Sequence, residues 1–403
     1  MTHGTRRVTL HTCLIALCAL AALSLAQLCL AQPANPIVSY LYLTWPSAIY
    51  GYNIASDGSL TPIAGSPFHT DIRSFDNLAN NGTYLFAFRN NDSFGQVINS
   101  FKIESNGGLK LSAQTNLGFL NGQYPAVVNL FLDKKGETLY GEGQWEFGGE
   151  YLQSYGINHG DGALSFLGAT PYLPGPLGTP GEYYFPPKFL GNDKFLFTGD
   201  IQSIDGWART GNGSMAQGPQ TDLMPLAPPG YVPFIGWVAA ADNANHMAFT
   251  FTFHKGSSSG ALYGPEQIGI YSADALGNLV TTSTYLNMPA DAVNSGSADF
   301  STYAYDLQFS PSGKLVAVAG QNGLQVFHFN GTDAVTPYTG LLFNAPVYEF
   351  RWDNYNHLVA FESDTNRLHI FNVTPTSVTE APGSPYALPV SQSRLTIQNL
   401  PLN

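Results

Sequence analysis

The sequence predicts an all-β fold, a seven-bladed β-propeller of four-stranded antiparallel blades. One phrase occurs near both ends of the chain, as YGYNIASDGSLTPIAGSPF at 50–68 and as FNVTPTSVTEAPGSPY at 371–386, and weaker versions lie between. Short runs of Val, Ile, Leu, Phe and Tyr are separated by Gly, Asn, Asp, Ser and Pro. This pattern is typical of strands and turns rather than helices. A unit that recurs about every 40–55 residues indicates one supersecondary module copied many times.

The clearest unit spans residues 305–340 and divides into four predicted strands. Ser310-Pro311-Ser312-Gly313 forms the first turn, because proline favours its second position. Four antiparallel strands per repeated unit define a propeller blade. The four strands are Tyr305–Phe309, Leu315–Ala319, Leu324–Phe329 and Ala334–Tyr338.

The repeats add up to seven units, one of which is split between the two ends of the chain. Residues 37–64 supply only three strands, and residues 393–400 supply a spare one. Joining that strand to the N-terminal three would close the ring and remove the open sheet edges. We therefore expect residues 32–403 to form a single domain. The first two strands of the other units are placed around 73–90, 126–143, 185–200, 235–252, 305–319 and 347–361.

Three hairpins carry an acidic or amide residue followed by glycine, namely Asp57-Gly58, Asn106-Gly107 and Asp161-Gly162. These pairs can adopt the positive φ angles of two-residue hairpin turns. They support the assignment of strand pairs on both sides of each turn.

The first 31 residues have the features of a signal peptide. Arg6 and Arg7 precede an apolar run from Val8 to Leu30, and Ala31 is a small residue suited to cleavage. A membrane anchor is the alternative, because the run is long enough to span a bilayer. All three cysteines, Cys13, Cys18 and Cys29, lie in this segment. We expect an exported protein, periplasmic or extracellular, whose mature chain contains no disulfide.

The charge balance limits the possible partners. The chain has 16 basic and 28 acidic residues, and two of the basic residues lie in the leader, so the mature net charge is 14 − 28 = −14. Nucleic acids and anionic lipids require a basic surface. We expect a monomer that binds a small molecule, a sugar or a protein at one rim of the ring, with no nucleic-acid partner and no membrane span after cleavage.

The phrase IASDGSLTPIAGSPF resembles the repeats of the lactonase-type seven-bladed propellers, also called 6-phosphogluconolactonase-like or YVTN-type repeats. The resemblance covers essentially the whole mature chain and implies the same fold. It also implies a lactone hydrolase site at the channel mouth. In that site an Arg-His pair follows Gly-Pro at the start of an inner strand, and a Glu ends the next strand. A base that activates water and a cation that holds an oxyanion are what lactone hydrolysis requires.

This chain retains only part of that motif. Ala126-Val127 and Val347-Tyr348 stand where the Arg-His pairs would be, whereas Glu142 and Glu362 match the glutamate position. Our first hypothesis is therefore a ligand- or partner-binding scaffold that has lost most of the hydrolytic residues. The alternative is an active lactone hydrolase that uses Glu142 or Glu362 with Arg73 or Arg351.

Other residues suggest binding rather than hydrolysis. Trp45 and Trp145 fall in equivalent loops of two units, and Glu142 and Glu146 flank Trp145. An aromatic ring beside carboxylates suits a glycan, although both indoles could instead pack between blades.

Two short segments could bring charged groups to the channel. His69, Asp71 and Arg73 lie close together before the second unit, where Asp71 and Arg73 could also form a surface pair. Glu349 and Arg351 are two apart on one strand and therefore point the same way. They could line the channel, or simply satisfy each other.

No cofactor motif is found. The sequence has no phosphate loop, no dinucleotide fingerprint and no His-x-x-x-His or Asp-x-Asp-x-Asp-Gly run. An ion held on the propeller axis by backbone carbonyls would leave no sequence signal, so that possibility stays open. Gly256 to Gly260 fit the letters G-x-S-x-G but have no helix after them, as a nucleophile elbow requires. We expect His254 and Lys255 beside them to be solvated.

Overall fold

The computed structural model describes most of the chain after residue 34, and the predicted signal peptide lies outside the described residues. All of the blades fall within residues 37–403, which form one compact unit. The described residues contain no helix, and therefore none that could span a membrane. The described ranges are 35–45, 48–69, 78–89, 96–117, 126–145, 149–171, 187–199, 203–221, 224–257, 260–294, 304–389 and 394–401.

The described residues form seven antiparallel sheets, which confirms the predicted propeller of seven blades. The blades are numbered here in chain order, and in each the innermost strand lies next to the axis. The innermost strands of blades one to seven are β30 (Leu395–Asn399), β5 (Leu78–Asn80), β9 (Ala126–Leu132), β13 (Lys188–Phe189), β17 (Tyr231–Ala241), β21 (Asp306–Phe309) and β25 (Val347–Trp352). The second strands are β1 (Ile37–Trp45), β6 (Tyr84–Arg89), β10 (Thr138–Trp145), β14 (Phe195–Gly199), β18 (His246–Lys255), β22 (Leu315–Gly320) and β26 (His357–Glu362).

The outer half of each blade completes the four-stranded sheet. The third strands are β2 (Ala48–Ala55), β7 (Gln96–Ile103), β11 (Gly149–Ile157), β15 (Ile204–Arg209), β19 (Gln267–Ala273), β23 (Gly323–Phe329) and β27 (Arg367–Val373). The outermost strands are β3 (Leu60–Pro62), β8 (Leu109–Leu117), β12 (Leu164–Pro171), β16 (Met215–Thr221), β20 (Leu279–Val280), β24 (Val335–Pro337) and β28 (Val378–Glu380). Two short strands, β4 (Phe68–His69) and β29 (Tyr386–Ala387), add to β2 and β27.

The C-terminal strand closes the ring as the sequence predicts. β30 pairs with β1 in antiparallel register from Ser39 opposite Asn399 to Leu43 opposite Leu395. Side chains anchor β30 to both neighbouring blades. The Asn80 amide of blade two donates to Thr396 Oγ1 at 2.7 Å, and Glu349 Oε2 of blade seven accepts from the Leu395 amide at 3.1 Å.

The hydrophobic core lies between blades rather than inside them. One cluster joins β18 and β19 of blade five to β21 and β22 of blade six, and another joins blades one and seven. Because each blade is covered by a neighbour on both faces, its central strands are buried on both sides, as β22 and β26 are along their whole length. This explains why these strands appear as continuous apolar runs and not as alternating patterns.

The three hairpin turns differ from the two-residue turns that the sequence suggested. Gly58, Gly107 and Gly162 have positive φ, whereas Asp57 and its equivalents do not. Each acidic or amide side chain instead accepts a hydrogen bond from the backbone two residues later, as Asp57 Oδ1 does from the Ser59 amide at 2.9 Å. The glycine alone therefore supplies the left-handed conformation that closes each turn.

Candidate functional site

The innermost strands of all seven blades surround a central cavity of about 340 Å³. This volume lies within the range of small-molecule sites. The charged residues that line it are Lys188, Asp306, Glu349, Arg351 and Arg394. Three of these five side chains are basic, although the whole sequence has a net charge of −12. The cavity is thus locally less acidic than the chain around it.

Arg351 is the centre of the charged residues in this cavity. Its Nη1 lies 3.1 Å from Asp306 Oδ2 and its Nη2 contacts Glu349 Oε1. We call Asp306, Glu349 and Arg351 the channel cluster. About a third of the Arg351 side chain is exposed, against 13% for Asp306 and 8% for Glu349. The guanidinium is therefore partly exposed in the cavity lining, while ion pairs with the two carboxylates fix its position.

The two carboxylates of the channel cluster are themselves held in place. Asp306 Oδ2 accepts from the Gln308 side-chain amide at 2.9 Å and from the Phe350 backbone amide at 3.2 Å. Burial raises the pKa of Glu349, and the nearby charges of Arg351 and Arg394 oppose that rise. Because the Glu349 oxygens contact Arg351 and the Leu395 amide, this carboxylate ties the ring closure to the channel.

Two stacked tyrosines add an aromatic surface to the cavity wall. The rings of Tyr305 and Tyr348 are stacked, with centroids 4.5 Å apart and planes inclined by 29°. The Tyr305 hydroxyl donates to Gln321 Oε1 at 2.7 Å, whereas 47% of Tyr348 is exposed. Tyr348 occupies the position at which the family motif has its histidine. A flat aromatic ring beside a guanidinium can stack on a ring-shaped ligand while the cation binds its polar groups.

Glu349 and Arg351, which the sequence predicts to line the channel or to pair with each other, line the cavity and also form an ion pair.

Trp45 ends β1, is half-buried and packs against the hydrophobic cluster between blades one and seven. This position fits the packing role that the sequence left open for it.

Glu362 lies away from the cavity lining. It ends β26, is 7% exposed, and its Oε2 lies 3.3 Å from Nε2 of His369. The other ring nitrogen of His369 lies 2.9 Å from Glu380 Oε1, and its ring stacks on Phe343 at 4.1 Å. Glu362 and Arg351 therefore have different partners. Among the described residues, no contact joins Glu362 to Arg351, the two residues predicted as one possible catalytic pair.

The remaining predicted residues are only partly described. Glu142 pairs with Asn129 on β9 and Leu152 on β11, so its backbone lies one strand outside the cavity wall. Trp145 ends β10 opposite Gly149, and His69 ends β4 opposite Ala48. Arg73 and Glu146 lie outside the described residues. These residues remain predictions. His254, expected in solvent, is instead fully buried, with Nε2 3.0 Å from Thr252 Oγ1.

The sequence interpretation missed several residues of the cavity. Lys188, Asp306 and Arg394 were not singled out, and neither Tyr305 nor Tyr348 was proposed as a binding residue. The same rule that selected Glu349 and Arg351, alternate residues on an innermost strand, would have selected Asp306 on β21. Lys188 begins the two-residue strand β13 and Arg394 immediately precedes β30, and the ends of such short strands are difficult to place from sequence.

Comparisons with known proteins identify the fold. No family model matches the sequence, and no curated protein matches it. A solved structure of a protein from Lactobacillus plantarum is 14% identical over 90% of this chain and 99% of its own, with a TM-score of 0.63.

Two candidate 6-phosphogluconolactonases give similar results, each 14% identical to this chain. The protein from Bacteroides fragilis has a TM-score of 0.62 and covers 91% of this chain and 99% of its own. The one from Bacteroides uniformis has a TM-score of 0.60, covering 90% and 100%. The chain is therefore a seven-bladed propeller with a 6-phosphogluconolactonase-like fold, as the repeats predict. At this level of identity the likeness applies to the fold alone.

Proposed function

We propose that this protein binds a small hydroxylated carboxylate, such as a sugar acid, in the central channel and does not use the hydrolytic site of the lactonase motif. The observation that carries the proposal is that one cavity is lined by the partly exposed Arg351 guanidinium and by the stacked Tyr305 and Tyr348. Arg351 and Lys188 would bind the carboxylate, since a guanidinium matches that group in shape and charge. Tyr348 would stack on the body of the ligand.

The departures from the lactonase motif support the binding role. Val347 is fully buried and Tyr348 replaces the family histidine, so this part of blade seven offers neither the Arg nor the His of the motif. We also propose that the protein is exported, because Arg6-Arg7 and the apolar run to Leu30 precede a chain without cysteine. N-terminal sequencing of the protein expressed in a bacterial host tests this part, and cleavage after Ala31 is the expected result.

Isothermal titration calorimetry with gluconate, glucuronate, glucose and methyl glucoside tests the binding role. We expect the two acids to bind and the two neutral sugars to bind at least about ten times more weakly, which corresponds to about 1.4 kcal/mol. Lys188→Gln and Tyr348→Ala should each weaken binding of the acids, whereas Lys110→Gln, a change of an exposed lysine on the outer strand of blade two, should not. Equal binding of acids and neutral sugars would contradict the proposal.

Lactone hydrolysis is the second candidate, favoured by the convergence of a carboxylate and a guanidinium in one cavity. Glu349 would act as the base and Arg351 would stabilise the oxyanion. The contacts that Glu349 already makes to Arg351 and to the Leu395 amide weaken this candidate, because a base needs an oxygen available to water. Turnover of sugar or acyl lactones that is abolished by Glu349→Gln or Glu142→Gln, but not by Glu137→Gln, would replace the binding proposal.

A further inference from the structure

Two acidic residues face each other in the seam between blades five and six. An antiparallel bridge joins Gln267 to Ala290, which places Glu266 opposite Asp291, and the Asp291 amide donates to the Glu266 carbonyl at 3.0 Å. Residues opposite each other in an antiparallel pair have side chains on the same face. Glu266 is 1% exposed and Asp291 is 5% exposed. We call these two residues the seam pair.

One oxygen of each carboxylate has protein partners. Glu266 Oε2 accepts from the Asn294 side-chain amide at 2.9 Å and from the Ala304 backbone amide at 3.1 Å. Asp291 Oδ1 accepts from the Val293 amide at 3.2 Å. The other two oxygens, Glu266 Oε1 and Asp291 Oδ2, are buried and have no hydrogen-bond partner among the described residues.

A third buried oxygen lies beside the seam pair. Thr250 is fully buried, and its Oγ1 forms no regular hydrogen bond among the described residues, although it lies close enough to the Glu266 carboxylate to lower the pKa of that group as a donor. The register of β18 with β19 places Thr250 opposite Ile268, on the same face as Glu266. A methyl group on Gly236 would lie 2.0 Å from Thr250 Oγ1 and 2.5 Å from Glu266 Oε1. Those two oxygens therefore both pack closely against the backbone of Gly236, where any other residue would clash with them.

The seam pair requires a positive charge or a proton. Burial and the charge of Glu266 raise the pKa of Asp291 well above its usual range, and burial raises that of Glu266. Neither carboxylate forms an ion pair with a described lysine, arginine or histidine. Two buried carboxylates cannot both ionise without compensation.

We propose that the seam pair binds one divalent cation, calcium by its chemistry, through Glu266 Oε1, Asp291 Oδ2 and Thr250 Oγ1. These donors are all oxygens, the ligand type that calcium prefers, and two carboxylates match its charge. The described residues contain no group of three acidic, histidine or cysteine side chains that could hold a metal. The remaining ligands must therefore be neutral oxygens or water. The cation would cross-link β18 and the start of β19 to the segment around Asp291, which follows β20.

The test uses the whole protein, stripped with a chelator and then dialysed into metal-free buffer. We expect calcium at about one hundred times its dissociation constant to raise the melting temperature by about 3 °C. Calorimetry should give one site per chain. Asp291→Asn should abolish both effects, and Thr250→Val should weaken calcium binding at least about tenfold, whereas the exposed Glu137→Gln should change neither.

Two outcomes would overturn the proposal. If neither calcium nor magnesium changes the melting temperature and no metal accompanies the purified protein, a shared proton neutralises the seam pair instead. If magnesium acts and calcium does not, the assignment to calcium is wrong. Thr250→Val keeps both carboxylates and its size, so it remains informative even if Asp291→Asn does not fold.

Discussion

At the channel, Asp306 and Glu349 flank the guanidinium of Arg351, whereas in the seam between blades five and six Glu266 faces Asp291 with no such cation among the described residues. Both sites bury two carboxylates, and each links one blade to the next. In the channel cluster, the guanidinium of Arg351 compensates the charges of the two carboxylates. The seam pair must take a proton or a cation from solution. Two neighbouring carboxylates can therefore be balanced by a basic side chain of the protein, as at the channel, or by a proton or cation from solution, as we propose for the seam pair.

The difference follows from the position of each site. The innermost strands converge on the axis, so Asp306 of blade six and Glu349 of blade seven can share the guanidinium of Arg351, and the Leu395 amide of β30 binds Glu349. The seam lies between two sheets whose facing side chains are mostly apolar, such as Ile268, Ile270 and Leu307. No described lysine, arginine or histidine pairs with either carboxylate there, so a proton or a small ion must balance their charge.

The largest expected effect on stability comes from removing β30, the strand that closes the ring and whose Leu395 amide binds Glu349 of the channel cluster. Deletion of residues 394–403 removes β30, exposes the edge of β1 and leaves Glu349 without the Leu395 amide. We expect the melting temperature, followed by circular dichroism, to fall by more than about 10 °C, since several β-ladder hydrogen bonds and buried side chains are lost. Deletion of residues 402–403 alone serves as the control. Unchanged stability of the longer deletion would show that the ring does not depend on this closure.

Removing the cation from the channel cluster should have the next largest effect. Arg351→Met leaves Asp306 and Glu349 close together without a guanidinium. Loss of one partner of a buried pair costs about 3–5 kcal/mol, and we expect about 2–4 kcal/mol here because Arg351 is about one third exposed. Urea unfolding measures the loss. The double variant Arg351→Met/Glu349→Gln should recover part of it, and a cost below about 0.5 kcal/mol for Arg351→Met alone would show that the cluster does not stabilise the fold.

At the channel cluster, removing a charge should lower the free energy of unfolding. At the seam pair, the charged carboxylates themselves should lower it. A carboxyl whose pKa is raised by folding stabilises the protein fully below its unfolded pKa, and this contribution is lost as pH rises through the folded pKa. Without divalent cations, we therefore expect the free energy of unfolding to fall as pH rises from the acid range through the raised pKa values of Glu266 and Asp291.

Asp291→Asn tests the origin of that pH dependence. The variant should lose this part of the slope and be more stable than the original protein at pH 8 in the presence of a chelator, as measured by urea unfolding. Calcium should remove the slope from the original protein and leave the variant unchanged, because a bound cation favours the ionised pair. An identical slope in both proteins would assign the pH dependence to other groups.

The fold could be predicted from the sequence because each blade corresponds to one copy of a recurring strand-and-turn pattern. The predicted strand Leu324–Phe329 differs by one residue from the observed Gly323–Phe329, and the assignment of the C-terminal strand to the first blade is confirmed. Turn residues such as Ser310-Pro311-Ser312-Gly313 mark where strands end and begin. The positions of the strands can therefore be predicted without knowing which distant residues meet.

The candidate site was less predictable because it depends on distant residues. Glu349 and Arg351 are close in sequence and were found. Asp306 is 45 residues before Arg351, and nothing in the sequence indicates that their side chains meet. The seam pair shows the same limit, since Glu266 and Asp291 become neighbours only through the bridge between Gln267 and Ala290. His254 was expected in solvent because a Gly/Ser loop follows it, but β18 buries it.

The smallest expected effect on stability concerns Tyr348, and it separates a binding role in the channel from a structural one. The side chain is 47% exposed and its main contact is the stacked ring of Tyr305. Tyr348→Ala should therefore change the free energy of unfolding by less than about 1 kcal/mol. Binding of sugar acids should weaken at least about tenfold, because the aromatic surface of the cavity that Arg351 also lines is lost. Tyr348→Phe keeps that surface and should bind normally. If Tyr348→Ala destabilises the fold as much as Arg351→Met while binding is unchanged, the tyrosine pair belongs to the closure of the ring, and the ligand must be sought elsewhere on the propeller.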